Sequence, residues 1–208
     1  MTGHSVRAIL DGKKTQTRRI VSKNIGPLHG DPVQFMEPHD LAFWSSDPEK
    51  SPHVMVSVPF HVGDRLWVKE AWRTGRALDD VRPIDLPTRC EPLNVPIYYA
   101  HDGEDRDGHR IDNFGGGWGR KRSSMFMPRW ASRLTLEVVE VGVERVNAIS
   151  ERDCCAEGMG SPITRDCKRP KFAKLWDEIN GKRAPWASNP WVWALTFKRL
   201  SGAGEAGR

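Results

Sequence analysis

The chain has 208 residues, with 32 Lys and Arg against 27 Asp and Glu, for a net charge of +5. That length can bury a core without a metal or disulfide staple, and the mixed, basic balance favours an anionic partner without fixing one. No apolar run is long enough for a membrane span or a secretory leader, so a cytoplasmic protein is expected.

In chain order, residues 3–11 place Val6, Ile9 and Leu10 at helical spacing, and Gly12 suits the left-handed residue that closes a helix. The basic run Lys13-Lys14-Thr15-Gln16-Thr17-Arg18-Arg19 follows and leads into a strand. Residues 22–53 are rich in Pro, Gly, His and Asp and read as irregular, with brief strand pieces near Val33–Met36. Val54–Pro59 and Arg65–Lys69 read as strands joined by a turn at Val62-Gly63-Asp64. Residues 74–128 carry scattered Pro and the run Gly115-Gly116-Gly117, and read as an insertion in which only Val95–Ala100 resembles a strand. Trp118, beside those glycines, reads as exposed enough to stack on a flat partner.

Arg133–Val146 gives the clearest strand. Leu134, Leu136 and Val138 share one face and Val139, Val141 and Val143 the other, which suggests a bulge or burial on both faces. Ser150-Glu151-Arg152-Asp153 has the pattern of a capping box and opens a helix to about Glu157, ended by Gly158. Pro170 is expected to start the best helix, with Phe172, Leu175, Trp176 and Ile179 on one stripe and Asn180-Gly181 at its end. Trp191, Trp193, Leu195 and Phe197 alternate with other residues, as in a strand covered on one side. The tail 201–208 reads as disordered. Strands without βαβ alternation, plus short helices, predict an α+β fold with a curved or closed antiparallel sheet. The expected organisation is a single domain over 1–200 with an insertion at about 74–128.

Four segments could carry chemistry. The run Lys13–Arg19 holds four cations and two hydroxyls in seven residues, suited to phosphate or carbonyl oxygens, though such a run also fits a solvated loop. In an ideal strand Lys14 and Thr17 would face opposite sides, so their convergence needs a turn in the backbone. Glu157 alone is an ordinary surface carboxylate. In Met127–Arg133, Arg129 and Trp130 could clamp a base, or Trp130 could belong to the core, and Arg133 adds a cation. Glu70, in Lys69–Arg73, is a substrate-binding candidate that a Glu–Arg surface pair beside a packed Trp also explains. Cys90, Cys154, Cys155 and Cys167 form no C-x-x-C pair, and the seven His show no ligand spacing. No metal and no cofactor are expected.

Read together, these segments resemble the ASCH domain. Gly12–Arg19 is similar to the first basic motif of that group, Gly63-Asp64-Arg65-Leu66-Trp67-Val68 to its turn and strand, and Ser150–Gly158 to its short helix. Trp191–Leu200 is similar to its last strand. The longer form with Met127–Arg133 resembles versions found in phages and prophages. The resemblance implies a PUA-like β-barrel that binds RNA or a modified nucleoside. It further implies an amidohydrolase of N4-acetylcytidine type, with a non-catalytic RNA-binding module or a ribonuclease as alternatives. Carried over by position, it puts catalysis on Lys14, Thr17 and Glu157, and substrate or nucleic-acid binding on Lys13, Thr15, Arg18, Arg19, Glu70, Arg129, Trp130 and Arg133. The chain departs from the small enzymes of the group by its stretches 22–53 and 74–128 and by the extra Arg18 at the site. As a base, Lys14 would need a pKa well below about 10.4, and a negative Glu157 beside it would oppose that.

Overall fold

The computed structural model describes residues 3–21, 32–36, 41–44, 54–86, 97–100, 117–161 and 167–200. Helix α1 (Gly3–Leu10) buries Val6 and Ile9. It ends as the sequence predicts: the Asp11 N–H donates to the Arg7 carbonyl and Gly12 takes φ +69°, a conformation that glycine adopts without penalty.

The main sheet has four strands in the order β1 (Gln16–Ile20), β9 (Trp191–Leu200), β8 (Thr135–Arg145), β5 (Arg65–Trp67). Strand β1 runs antiparallel to β9, with Thr17 opposite Leu195 and Arg19 opposite Trp193. Strand β9 runs antiparallel to β8, since the Val146 N–H meets the Pro190 carbonyl at 3.0 Å while Thr196 bonds Glu140. On the far side of β8, the Val138 N–H donates to the Asp64 carbonyl and the Val68 N–H to the Leu134 carbonyl. This sheet curls into a half-barrel, and with the three α-helices among the described residues it makes an α+β architecture. A second antiparallel sheet joins β2 (Pro32–Met36), β3 (Leu41–Trp44) and β4 (Val54–Ser57), with an irregularity between Pro32 and Gln34. A third pairs β6 (Trp72–Arg73) with β7 (Tyr98–Tyr99).

The chain forms two compact units, each discontinuous in sequence: one from residues 1–12, 66–136 and 199–208, the other from 13–65 and 137–198. The expected insertion 74–128 falls in the first, and its stretches 87–96 and 101–116 lie outside the described residues, as does the tail 201–208. The core of the first unit gathers Trp72, Leu86, Met127 and Ala131. Trp118 is half-buried there, edge-on to Tyr98, and not freely exposed as expected.

The core of the second unit gathers Val146, Ile149, Cys154, Phe172, Trp176 and Val192. Helix α2 (Glu151–Ala156) supplies Cys154, and helix α3 (Lys168–Asn180) supplies Phe172 and Trp176. Helix α3 starts at Lys168, two residues before the Pro170 that the sequence suggests. The Glu151 carboxylate accepts the Lys168 N–H at 2.6 Å and the Arg169 N–H at 3.3 Å. A carboxylate from another helix thus satisfies N–H groups that would otherwise be orphaned. Strand β9 departs from one-sided cover: Trp191 and Trp193 are buried on one face, and Val192 is fully buried on the other. Along β8 Leu136 and Val138 are buried, Val139 is 40 % exposed and Val141 and Val143 are half-buried, so the second face is not buried as the first is.

Candidate functional site

The second unit contains a cluster of buried charge. Its construction begins in the backbone, just before β1. The Thr15 N–H donates to the Ala156 carbonyl and its own carbonyl accepts the Phe197 N–H, both at 2.8 Å. One residue is thereby tied to the end of α2 and to β9, which brings Lys14 against Glu157. Lys14 Nζ donates to the Glu157 backbone carbonyl at 2.8 Å and forms an ion pair with Glu157 Oε2. These side chains lie 143 residues apart in sequence and are only 5 % and 6 % exposed.

Glu157 is placed by the end of a capped helix. Ser150 Oγ accepts the Asp153 N–H and donates to the Asp153 carboxylate, the local cap expected from the sequence. Glu157 then donates its own N–H to the Asp153 carbonyl, and Gly158 ends the helix at φ +91°. The Glu157 carbonyl left unpaired by the helix end is the one Lys14 reaches, so the ammonium meets a carboxylate and a helix C-terminus together.

Arg18 completes the cluster. Its Nη1 donates to Glu157 Oε1 at 3.2 Å and to Gln16 Oε1 at 3.3 Å, and its Nε to Glu144 Oε1 at 2.7 Å. Asp153 stands 3.9 Å from Nη2. Two cations and three carboxylates therefore share one network, buried at Lys14, Arg18 and Glu157 and half-exposed at Glu144 and Asp153, in which Glu157 has both oxygens engaged. Burial holds the Lys14 pKa below its usual 10.5; the charge and hydrogen bond of Glu157 act the other way, and the charges of Arg19 and Arg18 add to the lowering. Desolvation is thus the larger influence on the Lys14 pKa, and the Glu157 carboxylate the opposing one. Burial presses the Asp153 pKa upward, but the Ser150 hydrogen bonds and the Arg18 charge bring it below the usual carboxylate value. Next to it, burial pushes the Cys154 thiol up to about 12, the mark of an inert core cysteine.

Of the sequence candidates, Lys14, Arg18 and Glu157 come together. Thr17 is buried on β1. It adjoins Arg18 within the strand, so alternation turns its side chain to the opposite face. Lys13, Thr15 and Arg19 are exposed. Glu144 and Asp153 were not singled out by sequence; an acidic residue facing Arg18 across strands leaves no local signal.

The remaining candidates belong to the first unit. Glu70 is not in a surface pair: it is completely buried and holds Arg133 by two bonds, from Nε at 3.0 Å and Nη2 at 2.9 Å. The Arg133 guanidinium also lies 4.0 Å from the centre of the Tyr99 ring. A buried carboxylate engaged on both oxygens and capped by a stacked cation is an internal strut. Trp130 is 41 % exposed and therefore not in the core, and Arg129 is exposed beside it. No group of His, Cys, Asp and Glu that could hold a metal occurs among the described residues, and none of their helices is long and apolar enough to cross a membrane. Comparison of the chain with family models, with curated proteins and with solved structures finds no match.

Proposed function

We propose that the chain is an ASCH-type protein with a PUA-like barrel that hydrolyses the exocyclic amide of an N4-acylated cytidine-type nucleoside. The observation that carries this is the buried contact between Lys14 and Glu157, with the Lys14 pKa lowered by its surroundings. Burying two opposite charges is expensive and is weak as a source of stability, whereas a lysine of depressed pKa is what proton transfer near neutrality requires.

The chemistry has three parts. A Lys14 that has released its proton takes one from the attacking oxygen, which is water: the Thr17 hydroxyl that the resemblance names is turned by alternation to the other face of β1. Bond formation from that oxygen to the acyl carbon converts the carbonyl to an oxyanion. Lys14, now an ammonium, returns the proton to N4 as the oxyanion collapses and the acyl C–N4 bond breaks, releasing the free acid and the amine. Glu157 holds Lys14 on one oxygen, and Arg18 holds Glu157 on the other. Arg18 is therefore a positioning residue, and it fixes the carboxylate against rotation.

The test is turnover of N4-acetylcytidine. Lys14→Ala and Glu157→Gln should each lower kcat by roughly 10²- to 10⁴-fold, the usual worth of a positioned acid or base. Unchanged turnover in both would remove this site from the chemistry. Thr17→Val identifies the attacking atom: loss of turnover assigns it to Oγ1. Retained turnover assigns attack to water.

A further inference from the structure

The first unit leaves large apolar side chains in solvent within one short segment. Met125 is 71 % exposed, Phe126 65 % and Trp130 41 %. Their placement follows from the backbone. Ser123 caps the 3-10 turn Ser124–Phe126 by accepting the Met125 N–H, and a second 3-10 turn spans Arg129–Ala131 after Pro128. Met127 and Ala131 anchor both turns in the Trp72 cluster at 1 % exposure each, so the intervening side chains are turned outward. Trp130 is braced edge-on against the buried Trp72 ring, with centroids 6.1 Å apart at 90°. The aromatic surface is thus held in place before any partner arrives, which lowers the entropy lost on binding.

Cations accompany these rings along the chain. Arg120, Lys121 and Arg129 are exposed. Lys69 Nζ donates to the Met125 carbonyl at 3.2 Å and lies 4.7 Å from the centre of the Trp67 ring. From Arg120 to Arg133 the sequence contains five Arg and Lys and no Asp or Glu. Two of the five are engaged internally, Arg122 on the Leu78 and Val81 carbonyls and Arg133 on Glu70. The carboxylate of Asp79 meets the segment through the Arg120 backbone N–H.

We infer that Met125–Trp130, with Lys69, Lys121 and Arg129, is a landing platform for single-stranded nucleic acid. Exposed rings accept unstacked bases, and cations interleaved with them accept the phosphates that connect those bases. Protein interfaces share the Phe, Trp, Met and Arg of this patch but are depleted of Lys, which Lys69 and Lys121 supply here, and a duplex keeps its base faces stacked inside. The platform uses residues of the first unit only and does not depend on the Lys14–Glu157 chemistry.

Fluorescence anisotropy with labelled oligouridylate, oligodeoxythymidylate and a duplex of equal length tests this. Both single strands should bind at low salt and the duplex much less, with affinity falling as salt rises, by a slope of about −0.7 per phosphate engaged. Phe126→Ala and Trp130→Ala should each weaken binding by roughly 5- to 100-fold, and Arg129→Glu should also flatten the salt slope. A preference for the ribo-strand would assign the platform to RNA, and equal binding to single strands in general. Because Phe126 and Arg129 are exposed, these variants fold as the parent does, which circular dichroism checks. Absent binding at low salt overturns the proposal, as does affinity unchanged by the Phe126 and Trp130 variants. A concentration-dependent dimer in sedimentation that Phe126→Ala abolishes would also overturn it, because the patch would then be the seat of a second copy.

Discussion

At the scale of single residues, Lys14 is the most informative group. Its neighbours pull its pKa in opposite directions, so their removal should move it in opposite directions. Glu157 raises it by charge and hydrogen bond, and Arg18 lowers it. Glu157→Gln should therefore lower the Lys14 pKa further and Arg18→Gln should raise it, read from the lysine Cε carbon resonance across pH. A common direction in both variants would mean that the groups do not share one site. The sign carries over to stability: between the depressed pKa and 10.5, the unfolded chain holds a proton that the folded chain has released. Stability therefore rises with pH through that window, and below it buried Lys14 is a net cost. None of this was legible from spacing. Lys14 and Glu157 are 143 residues apart, and only the resemblance joined them. Arg18 read as an extra binding cation because its partners Glu144 and Asp153 lie on other elements. Glu70 read as surface because the carboxylate and its Arg133 partner are far apart in sequence.

At the scale of elements, local rules worked where the determinant was local. Gly12 at positive φ, the Ser150 cap and the Phe172–Trp176 part of the α3 stripe depend on residues within a turn or two and were legible, whereas Ile179, expected on the same stripe, is 54 % exposed. The start of α3 was not, because Glu151, a residue of another helix, supplies its N-terminal acceptor. Full burial of Val192 was also hidden, since alternation shows which residues share a face but not what covers the other face. The capped helix α2 carries Glu157, so its cap has a measurable effect. Ser150→Ala removes the acceptor of the Asp153 N–H. It should destabilise the fold by about 1 kcal/mol, seen as a lower urea midpoint with an unchanged slope. Ser150→Thr, which keeps the hydroxyl, should recover most of the loss. Equal stability of Ser150→Ala and the parent would show that α2 is held by packing alone.

At the scale of the whole molecule, the α+β class and a curved antiparallel sheet were legible from strand spacing, but the interleaving of two units was not. Periodicity carries no information on which distant strands pair. The consequence is that the site closes late in the chain. Strand β9 is internal to the four-stranded sheet, with β1 on one side and β8 on the other. Without it, β1 has no partner in that sheet, and the residue that ties Lys14 in place, Thr15, loses its bond to Phe197. Strand β9 also buries Trp191, Val192, Trp193, Leu195 and Phe197. At about 1.5–3 kcal/mol for each large apolar side chain, their removal matches the whole stability of a typical domain, about 5–15 kcal/mol. A chain ending at Pro190 should therefore show no cooperative thermal transition and no turnover of N4-acetylcytidine, whereas one ending at Leu200 should retain the full transition. A sharp transition in the shorter chain would mean that the remaining strands form a self-sufficient core, and that β9 serves only to close the charged cluster over Lys14.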